Sequence, residues 1–129
     1  AQSACLKAGG RVVSVVADSL MEKTLQNRVL YLSEEDFDAE FSAQRALHRN
    51  RVIHALTERT FVAQSSLRTG GTWDGASKNL RHGWSAVYCF ADGSEAMRQL
   101  QQMGAEGIVL AQLQNFETLP RPDPGFFED

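Results

Sequence analysis

Short apolar runs alternate along the chain with longer segments of helical periodicity. Residues 11–17 form the clearest run, and their β-branched composition is typical of a strand buried on both faces of a parallel sheet. The other predicted strands are residues 29–32, 59–64, 85–90 and, at a sheet edge, 107–110. The predicted helices are residues 1–8, 20–26, 43–57, 72–81 and 95–103. This alternation predicts an α/β fold with a doubly wound, mostly parallel sheet of the Rossmann-like type.

Small polar residues and glycines mark the ends of several predicted helices. Ser42 and Ser94 each precede a helix and can accept from its free N–H groups, and Asp18 or Ser19 can do so for the short helix at 20–26. Gly9-Gly10 is suited to close the first helix, because glycine readily adopts the left-handed conformation in which many helices end.

The length of the chain and its first element bear on domain organisation. A chain of 129 residues is long enough for one domain with a core and too short for two ordinary ones. A helix precedes the first strand, whereas the first strand of a doubly wound sheet usually lies centrally. We therefore expect this chain to lack the first strand of the sheet, which is missing, cleaved or supplied by another chain. The predicted organisation is one domain over residues 1–116 and an acidic, proline-rich tail or linker over 117–129.

The composition is that of a soluble globular protein, with 43% hydrophobic and 22% charged residues. No stretch approaches the roughly 20 apolar residues that span a bilayer, and the N-terminus shows no secretory signal. Cys5 and Cys89 occur without a CxxC pair or a zinc-type cluster, which favours reduced thiols over a disulfide. We expect a cytoplasmic protein with no membrane partner, no metal and no cofactor.

Charge is distributed unevenly around a net value of −3. Residues 33–40 contain five acidic residues and no base, a pattern typical of a solvated loop. Residues 45–82 contain seven basic residues against two acidic ones. The negative total argues against indiscriminate nucleic-acid binding, which depends on counterion release. The basic segment suits an anionic ligand, although ordinary solvated arginines would give the same count.

A glycine pair follows the third predicted strand. Gly70 and Gly71 free the backbone to turn and let a ligand approach its amides, and Thr72 can cap the following helix. The first N–H groups of a helix are unpaired and electropositive, so this strand, turn and helix together suit a phosphate. In doubly wound sheets, ligands bind beyond the C-terminal strand ends, where this turn lies. Ser65 is placed to donate to the phosphate or to serve the turn itself.

The two residues after the glycine turn each allow more than one interpretation. Trp73 either stacks on a base or covers the core, and Asp74 either complements the helix dipole or accepts from a ribose hydroxyl. No Ser-His-Asp order, GxSxG turn or pair of catalytic glutamates indicates covalent or acid–base catalysis. The histidines, which show no metal-ligand spacing and are more readily read as structural, are His48, His54 and His82.

A basic segment within the helix at 43–57 is the second candidate for ligand binding. Asn50 interrupts an apolar stripe on this helix, formed by residues 43, 46, 47, 53 and 54. A buried amide left unpaired costs roughly 1–3 kcal/mol, so Asn50 bonds either a ligand or a neighbouring backbone group. Arg49 and Arg51 project to either side of the stripe, where each is either a bidentate phosphate partner or solvated.

Several motifs resemble the Rossmann-like domain of the DNA-processing protein A (DprA/SMF) family. The principal ones are Arg49–Leu56 and Gly70–Ala76, supported by Ala8–Val16 and Gly104-Ala105. The resemblance covers about residues 5–110 and implies a parallel-sheet domain that binds single-stranded DNA, often dimerises and hands DNA to a RecA-type recombinase in transformation. The family's earlier glycine-serine-arginine turn has no counterpart here, which is consistent with the missing first strand. Where the family usually has Glu-Ala and then Ser-Gly, this chain has Gln64-Ser65-Ser66 and Gly70-Gly71-Thr72-Trp73, which favours a divergent, nucleotide-recognising relative.

The same resemblance implies which residues bind the ligand. Carried over by position, the residues that line the phosphate pocket are Arg49, Asn50, Arg51, Gly70, Gly71 and Thr72. The glycine block is also similar to the lysine-decarboxylase-like nucleotide hydrolases. That likeness implies an alternative function, hydrolysis of a nucleotide N-glycosidic bond. The acid which that reaction needs near the glycine turn is Asp74.

Overall fold

The computed structural model describes residues 1–120, in which helices and parallel strands form an α/β fold of Rossmann-like character. The chain divides into two compact units, Ala1–Val52 and Ile53–Asp129. Most of the predicted tail, residues 121–129, lies outside the described residues. None of the helices within 1–120 is long and apolar enough to cross a membrane.

The first unit is built on two parallel strands, β1 (Val12–Val15) and β2 (Val29–Leu32). Helix α1 (Gln2–Lys7) precedes them and contacts β1. It ends as predicted, with Gly9 at a φ of +86° and the Gly10 N–H donating to the Cys5 carbonyl at 2.9 Å. This paired-glycine ending turns the chain directly into β1.

The prediction that the first strand is buried on both faces is wrong. Val13 and Leu30 are register partners on β1 and β2, and they are 58% and 55% exposed. Within residues 1–120, each of these strands pairs with one other strand, and the helix contacting β1 is a short one. Part of the valine-rich strand is therefore left uncovered, because β-branched composition reports suitability for a sheet rather than the presence of a covering layer.

The second unit contains three parallel strands in the order β3, β4, β5. These strands are Arg59–Val62, Ala86–Phe90 and Glu106–Ile108. Helices α3 (Gly70–His82) and α4 (Glu95–Gln102) contact β4. The residues of the core cluster that joins them are Val62, Ala76, Leu80, Val87, Cys89, Met97, Leu100 and Ala105. In the described part of the chain β5 pairs with β4 and is the predicted edge strand.

The opposite face of this sheet is covered by 3₁₀ turns that the periodicity does not predict. Side chains alternate along β4, so Tyr88 lies on the face opposite Val87. Tyr88 stacks on Phe61 with ring centroids 5.2 Å apart, and Phe61 stacks on Phe116 at 5.5 Å. Phe116 belongs to the 3₁₀ turn Phe116–Thr118, which follows another at Leu110–Gln114. These 3₁₀ turns contain 5 and 3 residues, which is too short a stretch to show a helical pattern of hydrophobic residues.

The predicted serine caps are confirmed. Ser42 Oγ accepts from the Arg45 N–H at 3.0 Å at the start of α2 (Ala43–Leu56), and Ser94 Oγ accepts from the Met97 N–H at 3.4 Å. Ser19 caps a 3₁₀ turn, Leu20–Glu22, in place of the predicted short helix. These side chains satisfy donors that the first turn of a helix leaves unpaired.

The predicted apolar stripe of α2 is only partly buried. Leu47 and Ile53 are 39% and 38% exposed, and the buried residue that the structure describes on this helix is His54. The stripe contains small and polar residues around Asn50 and so has little apolar area to bury. The hydrophobic periodicity therefore predicts more burial of this helix face than the structure shows.

His54 belongs to a buried polar network in the second unit. The Ser85 N–H donates to Asn79 Oδ1 at 2.9 Å, so Asn79 Nδ2 faces His54 Nδ1 at 2.7 Å and Ser85 Oγ at 2.8 Å. Because that amino group only donates, His54 Nδ1 accepts, and the ring is neutral with its proton on Nε2. Ser85 Oγ also lies 2.7 Å from Thr60 Oγ1, which lies 3.4 Å from Thr57 Oγ1. The network joins the ends of two helices to the beginnings of two strands.

This arrangement makes stability depend on pH. Burial lowers the pKa of His54 from its ordinary value of 6.5, with no contribution from a charged neighbour. The unfolded chain therefore binds this proton more readily than the folded protein. The stabilisation is complete above pH 6.5 and is lost as the pH falls towards the depressed folded pKa. We expect the free energy of unfolding, measured by urea denaturation, to fall between about pH 7.5 and 5.5.

Two variants test whether His54 is the group responsible for this pH dependence. His82→Gln removes an exposed histidine and is expected to keep the full loss of stability on acidification. His54→Asn removes the titrating group and is expected to flatten the pH dependence, whatever its effect on stability at pH 7.5. An unchanged slope in His54→Asn would assign the effect to another group.

Candidate functional site

The glycine turn begins α3 earlier than the sequence predicts. The prediction that Thr72 caps this helix is wrong, because the helix starts at Gly70 and the capping position belongs to Thr69, whose side chain makes no capping bond. Gly70 has a φ of +87°, which explains the need for glycine at the entry to the helix. Apart from its chain neighbours and the backbone of its own helix, no atom lies within 4 Å of the position that a Cβ on Gly70 would occupy, so the space beside the turn is open.

A cavity of about 280 Å³ lies at this turn and is called here the glycine-turn cavity. It is situated between the C-terminal end of β3 and the first turn of α3, the position at which parallel α/β sheets bind ligands. Ser65 Oγ donates to the Ser66 carbonyl at 2.9 Å, so in this structure it serves the turn. The residues that line the cavity are Gln64, Ser65, Ser66, Thr69, Gly70, Gly71 and Thr72.

Trp73 and Asp74 do not line this cavity. Trp73 is half-buried and packs against the core cluster of the second unit. Asp74 forms an ion pair with Lys78, with Oδ1 and Nζ 3.1 Å apart, one helical turn along α3. The structure thus gives Trp73 a packing contact and Asp74 a cationic partner.

A second cavity, of about 250 Å³, lies in the first unit and is called here the arginine cavity. Val16 follows β1, the two glutamates follow β2, and the remaining residues belong to the capping position and first two turns of α2. It too is therefore situated at the C-terminal ends of parallel strands. The residues that line it are Val16, Glu34, Glu35, Ser42, Gln44, Arg45, His48 and Arg49.

One backbone carbonyl and one side-chain amide oxygen orient the guanidinium group of Arg49. Its Nη1 donates to the Val15 carbonyl at 2.9 Å, and its Nε donates to Asn50 Oδ1 at 3.1 Å. Arg51 is exposed, and its Nη2 lies 2.8 Å from His48 Nδ1. Of the three predicted residues on this helix, Arg49 lines the arginine cavity, Asn50 supports Arg49, and Arg51 contacts a lining histidine.

Arg45 is a site residue that the sequence prediction does not include. Its Nη1 donates to the carbonyls of Ala39 and Glu40, at 2.8 and 2.6 Å, and its Nη2 donates to Ser33 Oγ at 3.1 Å. One side chain thus fastens both ends of the acidic segment 33–40 to α2. The spacing of Arg45 from Arg49, four residues on a helix, is the signal that places both on one face.

Neither Arg45 nor Arg49 forms an ion pair within residues 1–120, although two glutamates line the same cavity. The ion pairs found within residues 1–120 are Lys23–Asp18, at 2.8 Å, and Lys78–Asp74. Arg45 and Arg49 are held by neutral oxygens in the same part of the chain. A guanidinium group fixed in this way keeps its full charge for an anionic ligand.

The chain is an α/β protein with cavities at the C-terminal ends of parallel strands. Residues 1–113 match the family model described as DNA recombination-mediator protein A, so the chain belongs to that family. This confirms the resemblance seen in the sequence, and a role in DNA processing or recombination follows from it. Neither a curated protein nor a solved structure shows significant similarity to the chain.

Proposed function

We propose that this protein binds single-stranded DNA through its phosphates and acts without turnover. The observation that carries the proposal is the pair of guanidinium groups, Arg45 and Arg49, which backbone and hydroxyl oxygens orient at the arginine cavity. The first turn of α3 adds backbone N–H donors at the glycine-turn cavity. Phosphate groups recur along a DNA strand, so a strand offers anions that either site can bind.

Size and charge favour a single strand over a duplex. Both cavities are slightly smaller than the roughly 300 Å³ at the lower end of ordinary ligand pockets, a size suited to a single nucleotide unit. The net charge of −3 disfavours the extensive phosphate neutralisation that holds a duplex non-specifically. Binding without turnover is favoured because Asp74, the acid nearest the glycine turn, is paired with Lys78.

Salt dependence of oligonucleotide binding tests this proposal. We expect a fluorescent oligo-dT to bind, with log K falling against log salt at a slope between about −1.4 and −2.1, since contact with two or three phosphates of a single strand contributes about −0.7 each. A duplex of the same length is expected to bind more weakly at every salt concentration. Absence of oligonucleotide binding at low salt would refute the proposal.

The proposal extends to the partners and setting of the family. A protein that holds single-stranded DNA is suited to hand it to a RecA-type recombinase, and a homodimer would present two such sites on one strand. Both activities belong in the cytoplasm, where DNA is accessible. Sedimentation with and without oligonucleotide measures the dimer, and strand-exchange assays with a recombinase measure the transfer.

A further inference from the structure

The arginine cavity contains acidic groups that a simple phosphate site would not need. Glu34 and Glu35 line it together with Arg45, His48 and Arg49. Neither glutamate forms an ion pair within residues 1–120, although both line the same cavity as two arginines. Both glutamates are exposed at the cavity, and a carboxylate beside a phosphate site weakens binding by repulsion unless it contacts a different part of the ligand.

The acidic side of the cavity is held by the same side chain that supplies its positive charge. Arg45 Nη2 donates to Ser33 Oγ, and that oxygen also accepts from the Glu35 N–H at 3.2 Å. Arg45 Nη1 fastens the other end of the segment at Ala39 and Glu40. The backbone that carries both glutamates is thus fixed on α2 before a ligand arrives.

We propose that Glu34 and Glu35 determine base specificity by accepting hydrogen bonds from an unpaired base, while the arginines hold its phosphate. This inference rests on the proposed function. A carboxylate only accepts, and the edge of an unpaired base is exposed for such contacts. Cytosine and thymine are similar in size but differ at C4, where cytosine has an amino donor and thymine a carbonyl oxygen that repels a carboxylate. The cavity should therefore prefer cytosine.

Binding of oligo-dC and oligo-dT of equal length, followed by fluorescence anisotropy at about pH 7.5, tests this preference. We expect the protein to bind oligo-dC about tenfold more tightly, within the range for a base contact of this kind. In the double variant Glu34→Gln with Glu35→Gln, we expect the ratio to fall below about twofold while the affinity for oligo-dT rises. Glutamine both donates and accepts, so it serves either base.

A matched control removes two charges from the same segment outside the cavity. Asp36 and Asp38 do not line the arginine cavity. In the double variant Asp36→Asn with Asp38→Asn, we expect both affinities to rise together and the ratio to stay near tenfold. Equal binding of the two oligonucleotides by the unmodified protein would overturn the inference and leave the proposed function standing. So would an equal loss of preference in the control variant. Failure to bind either oligonucleotide would overturn both.

Discussion

Replacing Asn79 with alanine is expected to lower the free energy of unfolding by about 3 kcal/mol or more. Asn79 is fully buried, and its amide group makes three hydrogen bonds, two with Ser85 and one with His54. Alanine leaves the Ser85 N–H and His54 Nδ1 buried without this partner, at roughly 1–3 kcal/mol for each group. The volume of the lost amide adds a small cavity cost.

Urea denaturation at pH 7.5 measures this effect. Asn115→Ala is the matched control, because Asn115 is exposed and its side chain makes one hydrogen bond, from the Glu117 N–H at 3.0 Å. We expect the control to lose no more than about 1 kcal/mol, the usual value of a capping side chain. Equal losses in the two variants would show that the buried network does not contribute specifically to stability.

Replacing Arg49 with glutamate is expected to weaken binding of oligo-dT about a hundredfold. The substitution removes a cation from the arginine cavity and introduces an anion in its place. Arg81→Glu makes the same change of charge at an exposed position in the last turn of α3 that lines neither cavity. We expect that control to weaken binding by less than about threefold in physiological salt, where exposed charges are screened.

A second substitution at this position separates binding from folding. Arg49 donates to the Val15 carbonyl, so thermal unfolding of each variant is measured alongside its affinity. Arg49→Lys retains the charge and one donor nitrogen but loses the planar guanidinium fork. We expect it to remain folded and to bind about tenfold more weakly. Full affinity in Arg49→Glu, with the fold intact, would remove Arg49 from the binding site.

The features that the sequence predicts correctly are those that depend on residues close together in the chain. Serine caps at positions 42 and 94 and the glycine ending after α1 are determined within one helical turn, and all three are confirmed. The parallel strands follow from short apolar runs separated by helices, which is why the fold class was predictable. The start of α3 was misplaced because Gly70 and Gly71 have low helix propensity, although the first turn of a helix tolerates them.

Features that depend on distant residues were not predictable from patterns. Val13 and Leu30 become neighbours through strand pairing, and their exposure depends on which layers cover them. The bonds from Arg45 to Ser33 and Ala39 require the loop between β2 and α2 to fold back on the helix. Composition describes residues 33–40 as a solvated loop, whereas the structure ties both of its ends to one guanidinium group.

Arg45 shows that two cations of equal charge are not equivalent. Its two terminal nitrogens diverge from one flat group, which lets them reach Ser33 on one side and two carbonyls on the other. The single terminal nitrogen of lysine cannot reach both groups, although arginine and lysine count equally in the net charge. A lysine at position 45 would therefore release one side of the acidic loop and change its shape.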